Sequence, residues 1–534
     1  MNPTILLGVD GATFSVLDHM MEGGHMPRLR QLCETGVRGE LLSTPHPLTP
    51  PAWTTLATGR TPGNHGVFDF IWAEERGSTV YFTLNNYRDI KAETIWTLIG
   101  RRGGSVTSLN FPFMSPPPEV VGSLVPGLTS WKHLRRSVYP ASLFDELKTL
   151  PGFNTKEFAW DFDREARATK LIDDDEHAEW VEFHITREKH WFNIFRYLWK
   201  KHPADLTAVL LDGVDKLQHV CWRYLDPNCF HESPTEAQRR ARELCLEFFG
   251  GLDAFIGEVM DTAPPGARIF LASDHGFGPT EHVFRLNTWL AENGYLTWAT
   301  TDDLPEDERA KVDKMANRHF VHLDWTRTTA YAQSSATNGI HIRVAREPGQ
   351  TGIKPEEYDA FREKLISELR AIKVPGTGQP LVRDILKKEE VFPGEHNGRC
   401  PDLTLVLFDY GFCSVLDKQP TIWERPEPSG THQPEGVFLA WGEGIRRGER
   451  LPLQQILDMA PTLLYSLGMP IPSDMEGKVM TDAFTEEHLS KTPIETGPPT
   501  HADRDDAGTA ADVAEEEEDE DVIFERLRAL GYVE

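Results

Sequence analysis

The chain has 534 residues, 39% hydrophobic and 26% charged, and sets 55 basic against 83 acidic residues for a net charge of −28. Such a length can bury a large core and hold more than one domain, while the acidic balance argues against nonspecific binding to a nucleic acid duplex or an anionic membrane. A phosphate-type substrate would need local positive charge, which bound metal ions can supply.

The N-terminus runs straight into the apolar stretch Ile5-Leu6-Leu7-Gly8-Val9, too short for a signal-peptide core and read as a buried strand ending at Asp10. A proline-rich turn then exposes Thr49 just before a helix that is predicted to start near Pro51. Gly104 to Leu109 is predicted as a further buried strand, ended by Asn110-Phe111-Pro112. Residues 155–203 are charged and aromatic, with Trp160, Trp180, Trp191 and Trp199. The helical spacing of Trp180, Phe183, Trp191, Ile194 and Leu198 predicts an insertion that caps the sheet. Its rings serve either plain core packing or a lid over a pocket.

Two strands follow in the same style. Leu206 to Leu211 leads into Asp212 and Asp215, and Ile269 to Ala272 leads into Ser273-Asp274-His275-Gly276. Residues 295–400 read as a second insertion, with a helix over 355–369 and strands around 339–344. Pro401 to Val406 and Val437 to Trp441 are predicted as strands of the main sheet, followed by a helix over 456–467. Residues 490–521 are polar and end in the acidic run Glu515 to Asp521, a composition that cannot order itself by burial. Residues 522–534 then form a short amphipathic helix suited to docking or self-association. No apolar run approaches the roughly 20 residues of a membrane span. The six cysteines form neither a C-x-x-C pair nor a disulfide-like framework. The chain therefore reads as soluble and cytoplasmic.

Alternation of apolar runs with helical stretches predicts an α/β fold with a mainly parallel sheet between helices. The catalytic core would comprise residues 1–154, 204–294 and 401–489. It would be interrupted by a helical cap at 155–203 and a mixed α/β insertion at 295–400. A linker at 490–521 and a terminal helix at 522–534 would complete the chain.

In such sheets, ligand sites lie outside the carboxyl ends of the strands. Carboxylates and a histidine stand at three of those ends, so a shared metal site is the organising hypothesis. Each element alone is ambiguous. Asp10 is either a ligand or a helix cap. Asp215 and His219, four apart, share one side of a helix as ligands or as an ion pair. Asp274-His275 needs further converging ligands to hold a metal. Thr49 caps a helix, or acts as a nucleophile if a metal or base activates its hydroxyl.

Together these residues resemble the alkaline phosphatase superfamily, and most closely its type I phosphodiesterase/nucleotide pyrophosphatase branch. The resemblance rests on Gly8-Val9-Asp10-Gly11, Thr49 to Gly59 with Pro62-Gly63-Asn64-His65-Gly66, Asp215-x-x-x-His219, Ser273-Asp274-His275-Gly276 and Gly430-Thr431-His432, in the family's order. Asp458 to Leu464 and Asp474-Met475-Glu476-Gly477 fit as well. The resemblance implies an alkaline-phosphatase-like fold and two divalent metal ions, zinc first, with manganese or iron permitted. Asp215, His219 and His432 would hold one. Asp10, Asp274, His275 and the Thr49 oxygen would hold the other. Thr49 would attack phosphorus, form a phosphothreonine, and release phosphate or a phosphomonoester on hydrolysis.

The Thr49 segment also fits sulfatase spacing. Threonine cannot become the formylglycine of those enzymes, however, and Trp53 stands where they have arginine. Nucleotide pyrophosphatases of this branch usually carry asparagine three residues after the nucleophile, where this chain has Ala52, which leaves the leaving group open. Asn110, Lys216 and Arg60 are candidates for binding the substrate phosphate, and His65 reads as structural. The expected function is a hydrolase of phosphodiester or phosphoanhydride bonds in a small-molecule substrate. The alternatives are a phosphomonoesterase or phosphonate hydrolase, then a sulfatase or a binding protein on a decayed fold.

Overall fold

A computed structural model describes residues 2–76, 79–129, 132–158, 174–299 and 323–501. Trp160, the acidic run 515–521 and the helix expected over 522–534 lie outside the described residues.

The strands that build the main sheet are β1 (Thr4–Val9), β2 (Val37–Leu42), β3 (Val106–Leu109), β4 (Gly122–Val125), β5 (Leu206–Leu211) and β6 (Arg268–Ala272). Two later strands flank the site, β7 (Gly276–Arg285) and β8 (Ile422–Gln433), and β9 (Glu435–Gly442) returns to the main sheet. The sheet has nine strands, running β2-β9-β6-β1-β5-β3-β4 through its centre, with the short pairs Glu449–Arg450 and Gln454–Gln455 on β2. Pairing is parallel from β6 to β4, while β9 runs antiparallel between β2 and β6. This is the α/β architecture expected, with a largely parallel sheet.

β1, β5 and β6 are buried along their whole length, as central parallel strands are when helices cover both faces. Their side chains alternate between two cores. Leu6, Ala208, Leu210 and Phe270 enter one, whereas Ile5, Leu7, Val209 and Ile269 enter the other. Register does the positioning. Val9 lies opposite Leu211 and Gly8 opposite Ala272, so the residues just past all three strands come out side by side.

The helices that carry the site are α1 (Thr49–Thr58), α2 (Asp174–Lys201), α3 (Gly213–Leu225) and α4 (Glu236–Thr262). In α2, the helix of the first insertion, Trp180, Phe183, Trp191, Ile194 and Leu198 are all buried in the second core. Core packing, not a lid, accounts for these five side chains.

Two expectations need correction. The strand at Leu403–Leu407 is not in the main sheet. It pairs with Gly339–Ile342 and Val382–Lys387 in a separate four-stranded sheet, because its partners come from the second insertion. The linker expected from residue 490 is tied to the body as far as residue 501. Thr496–Gly497 pairs with Ile471–Pro472, and Thr500 donates through its backbone N to Asp474 at 2.8 Å. Backbone pairing thus orders a segment that buries little apolar surface. No helix among the described residues is long and apolar enough to cross a membrane.

Candidate active site

Two strand ends, the helix that follows a third strand, and one later strand converge on one place. Asp10 follows β1, Asp274 and His275 follow β6, Asp215 and His219 lie one turn apart on α3, and His432 is on β8. β8 lies close against α3, with Ser429 Oγ donating to the His219 carbonyl at 2.9 Å. Gly430 permits that approach, since a Cβ there would stand 2.2 Å from the Gln218 carbonyl oxygen.

These six side chains form two groups, Asp215/His219/His432 and Asp10/Asp274/His275, each with its potential ligand atoms within 4.8 Å of one another. The groups adjoin, because the His275 and His432 rings stack with centroids 3.5 Å apart. Thr49 Oγ1 lies 3.4 Å from His275 Nε2. Thr49 is the first residue of α1, whose next two residues are prolines. Proline is tolerated there because first-turn amides have no acceptor within the helix; Pro50 and Pro51 carry no N–H, and the Ala52 N–H already donates to the Leu48 carbonyl at 3.1 Å.

The hydrogen-bond pattern indicates what the groups can hold. His432 donates through Nδ1 to the Pro47 carbonyl at 2.9 Å, so its Nε2 presents a lone pair. That lone pair faces Asp215 Oδ1 at 3.2 Å, with His219 Nε2 also 3.3 Å from the same oxygen. His275 donates through Nδ1 to the Gly276 carbonyl at 3.1 Å, and its Nε2 lone pair faces Asp274 Oδ2 at 3.3 Å and Asp10 Oδ1 at 3.6 Å. Asp10 Oδ1, Asp215 Oδ1 and Asp274 Oδ2 are buried and take no hydrogen bond among the described residues. Acceptor facing acceptor in a buried place is stable only with a cation or proton between them. Carboxylate and imidazole donors of this kind suit zinc and allow manganese or iron.

The carboxylates of the two groups are pushed in opposite directions. Burial, then the neighbouring Asp274 and Asp215, pushes Asp10 well above the usual carboxylate range. Burial likewise raises Asp274 to about 8. Burial also works against the Asp215 carboxylate, but the His219 and His432 imidazoles outweigh it and hold Asp215 well below the usual range. Burial lowers both His275 and His432, favouring the neutral rings a metal needs.

The proposed substrate-binding residues fare differently. Asn110 uses its amide on the Leu210 carbonyl at 2.9 Å and on Asp212 Oδ1 at 3.1 Å, which makes it a brace behind β5 and not a free donor. Arg60 stands past the opposite end of α1 from Thr49, roughly 15 Å along the axis, and pairs with Asp474 at 2.8 Å. It cannot reach a phosphate on Thr49. Lys216 is buried, and its charge acts on Asp212 and His184. His65 is structural. Its Nδ1 accepts from the Val67 N–H at 3.2 Å, and its Nε2 is 2.9 Å from Thr55 Oγ1, which locks the loop after α1 to the helix.

Behind the site lies a cluster that sequence patterns did not flag. Asp212 pairs with the buried Arg187 of α2. The neighbouring Glu188 accepts from the Gly213 N–H at 2.8 Å through Oε1. The available signal was a helix face where His184, Arg187 and Glu188 fall at core spacing between Trp180 and Trp191.

A family model described as type I phosphodiesterase / nucleotide pyrophosphatase matches residues 4–435, a span that contains Thr49 and all six side chains of the two groups. No curated protein sequence matches the chain. Among solved structures, the chain is similar to phosphonoacetate hydrolase from Sinorhizobium meliloti 1021 in complex with phosphonoformate. The two share 16% identity and a TM-score of 0.53, over 87% of this chain and 95% of that one. The same enzyme in complex with phosphonoacetate gives 16% identity and a TM-score of 0.51 over the same shares, 87% and 95%. Human ectonucleotide pyrophosphatase / phosphodiesterase 5 gives 14% identity and a TM-score of 0.49, over 92% of this chain and 99% of that one. At 16% identity the likeness to the phosphonoacetate hydrolase structures is one of fold.

Proposed function

Because this chain belongs to the type I phosphodiesterase/nucleotide pyrophosphatase family, and is thereby a hydrolase of phosphoric ester or anhydride bonds, we propose that it is a two-metal phosphohydrolase acting through Thr49. The observation that carries this reading is the pair of buried groups in which lone pairs face carboxylate oxygens beside the Thr49 hydroxyl. Asp215, His219 and His432 would hold one divalent cation. Asp10, Asp274, His275 and Thr49 Oγ1 would hold the second. When bound, two such ions make an oxygen ligand a better nucleophile and neutralise charge on a transferring phosphoryl group.

The chain's own residues do the rest. The N-terminus of α1 presents Thr49 at the positive end of the helix dipole, which favours an anion at Oγ1. Thr49 Oγ1 lies 3.4 Å from His275 Nε2, so the hydroxyl stands beside the ligand set that would hold the second cation. Thr49 Oγ1 forms a bond to phosphorus as the leaving-group oxygen departs with a proton. Water then cleaves the phosphothreonine, returning the threonine hydroxyl and releasing phosphate or a phosphomonoester. Neither Asn110 nor Arg60 belongs to this scheme, since their donors are committed elsewhere. The six cysteines are all unpaired, which supports a cytoplasmic setting as part of the same proposal.

The test is a substrate panel on zinc-loaded protein. It comprises bis(p-nitrophenyl) phosphate, p-nitrophenyl phosphate, p-nitrophenyl sulfate, a nucleoside triphosphate and phosphonoacetate. Turnover of the diester or the nucleotide above the others is expected. Full activity in Thr49→Ala would refute the nucleophile, and preferred turnover of the sulfate ester would refute the class.

A further inference from the structure

The carboxylates and imidazoles of the two groups are steadied in different ways. Asp274 Oδ1 accepts from the Gly11 backbone N–H at 3.1 Å, and the Nδ1 atoms of His275 and His432 donate to backbone carbonyls. Asp10 is held by a side chain: the Trp53 indole Nε1–H donates to its Oδ2 at 3.2 Å. Oδ1 of the same carboxylate is left without a hydrogen bond and faces His275.

Trp53 is on α1, four residues after Thr49, so both lie on the same face of one helix. Its ring has little room to move. It packs so tightly on β1 that a Cβ on Gly8 would stand 2.9 Å from it, and it meets Phe111 edge to face at 5.6 Å. Trp53 is 1% exposed, so the direction of its N–H is fixed by packing.

A buried indole needs an acceptor in any protein, so Asp10 could serve Trp53 and not the reverse. The geometry favours the reverse. One rigid helix delivers both Thr49 and the donor that selects which oxygen of Asp10 faces His275. Donors behind a ligand commonly set metal affinity in this way.

Resting on the two-metal reading above, we propose that Trp53 is a positioning residue that holds Asp10 Oδ1 toward the cation of the Asp10/Asp274/His275 group and ties that cation to the position of Thr49. Arginine at this position, as in sulfatases, would place a full charge beside Asp10 where tryptophan supplies a neutral donor. The helix of the nucleophile is thus also the support of one metal ligand.

The experiment is calorimetric titration of full-length, EDTA-treated protein with Zn2+. Wild type should show two binding events, one removed by Asp10→Asn and the other by Asp215→Asn. Trp53→Phe should weaken only the event that Asp10→Asn removes, by about 10–100-fold. Combining it with Asp10→Asn should then change nothing further. Benzothienylalanine at position 53, which keeps the ring's shape and replaces the N–H with sulfur, should reproduce the loss and stands in if Trp53→Phe does not fold. Two full-strength events in these variants, or equal weakening of both, would overturn the proposal in favour of plain packing. A wild type that takes up no zinc would overturn the two-metal reading itself, and this inference with it.

Discussion

Asp212 and Asp215 stand three residues apart at the end of the same strand, and both are buried. Burial opposes the charge of each, yet both are held below the usual carboxylate range by a neighbouring nitrogen group. The partners differ. Asp212 is paired with Arg187 and accepts from Asn110, so its Oδ1 is met by two fixed donors. Asp215 faces two imidazole nitrogens, one of which has its proton on the far side of the ring. A buried acid is therefore no sign of a site by itself. What distinguishes the two is whether the surrounding groups supply protons or only more lone pairs.

The comparison breaks most sharply in activity. Thr49→Ala and Asp215→Asn should each lower kcat by on the order of 10³-fold or more while the fold remains intact, as steady-state kinetics and circular dichroism would record. If Asp215→Asn retains activity, the contrast with Asp212 is empty.

Arg187→Met tests the other side. It leaves Asp212 buried without its cation, which should cost about 3–5 kcal/mol of unfolding free energy in urea melts. Zinc stoichiometry should stay at the wild-type value. Loss of zinc with little loss of stability would mean that Arg187 belongs to the centre and not to its support.

Metal removal comes next. Each ion bound only by the folded state, at a hundredfold excess over its Kd, adds about 2.7 kcal/mol, so EDTA should lower Tm and zinc should restore it. In Asp215→Asn the EDTA effect should shrink to that of one site, whereas in Arg187→Met it should persist in full.

The smallest effect concerns Glu188. Burial, then the nearby Asp212 charge, raises it from the ordinary 4.5 to about 8. A raised folded pKa means stability that is complete below about 4.5 and is lost as pH rises through about 8, at roughly 1 kcal/mol per pH unit in between. Glu188→Gln should flatten the decline in stability between pH 6 and 7. An unchanged slope would show that Glu188 is ionised in the folded chain.

Much of the centre was legible in the chain because its chemistry sits at strand ends. Asp10, Asp215 and Asp274 each follow an apolar run, and the order of motifs through His432 carried the family. Less legible was everything that depends on where a side chain's second contact lies. Asn110 follows a strand like the aspartates, but its amide turns back to β5. Arg60 is near Thr49 in sequence, yet a full helix separates them. Leu403–Leu407 has the composition of a main-sheet strand, but its neighbours are in the second insertion.

The sequence by itself determined the α/β class, the strands whose ends hold the acids, and the residue types that suit a divalent cation. Periodicity and composition are local properties, and a strand end is visible without its neighbours. The grouping of His432 with Asp215, which the family resemblance already implied, is realised only across the fold, and only the tertiary structure decided the supports: that Arg187 pairs with Asp212 and that Trp53 turns toward Asp10. Those contacts are set by register and by side-chain direction between segments 25 to more than 200 residues apart, and no local pattern encodes the direction of a hydrogen bond across such a distance.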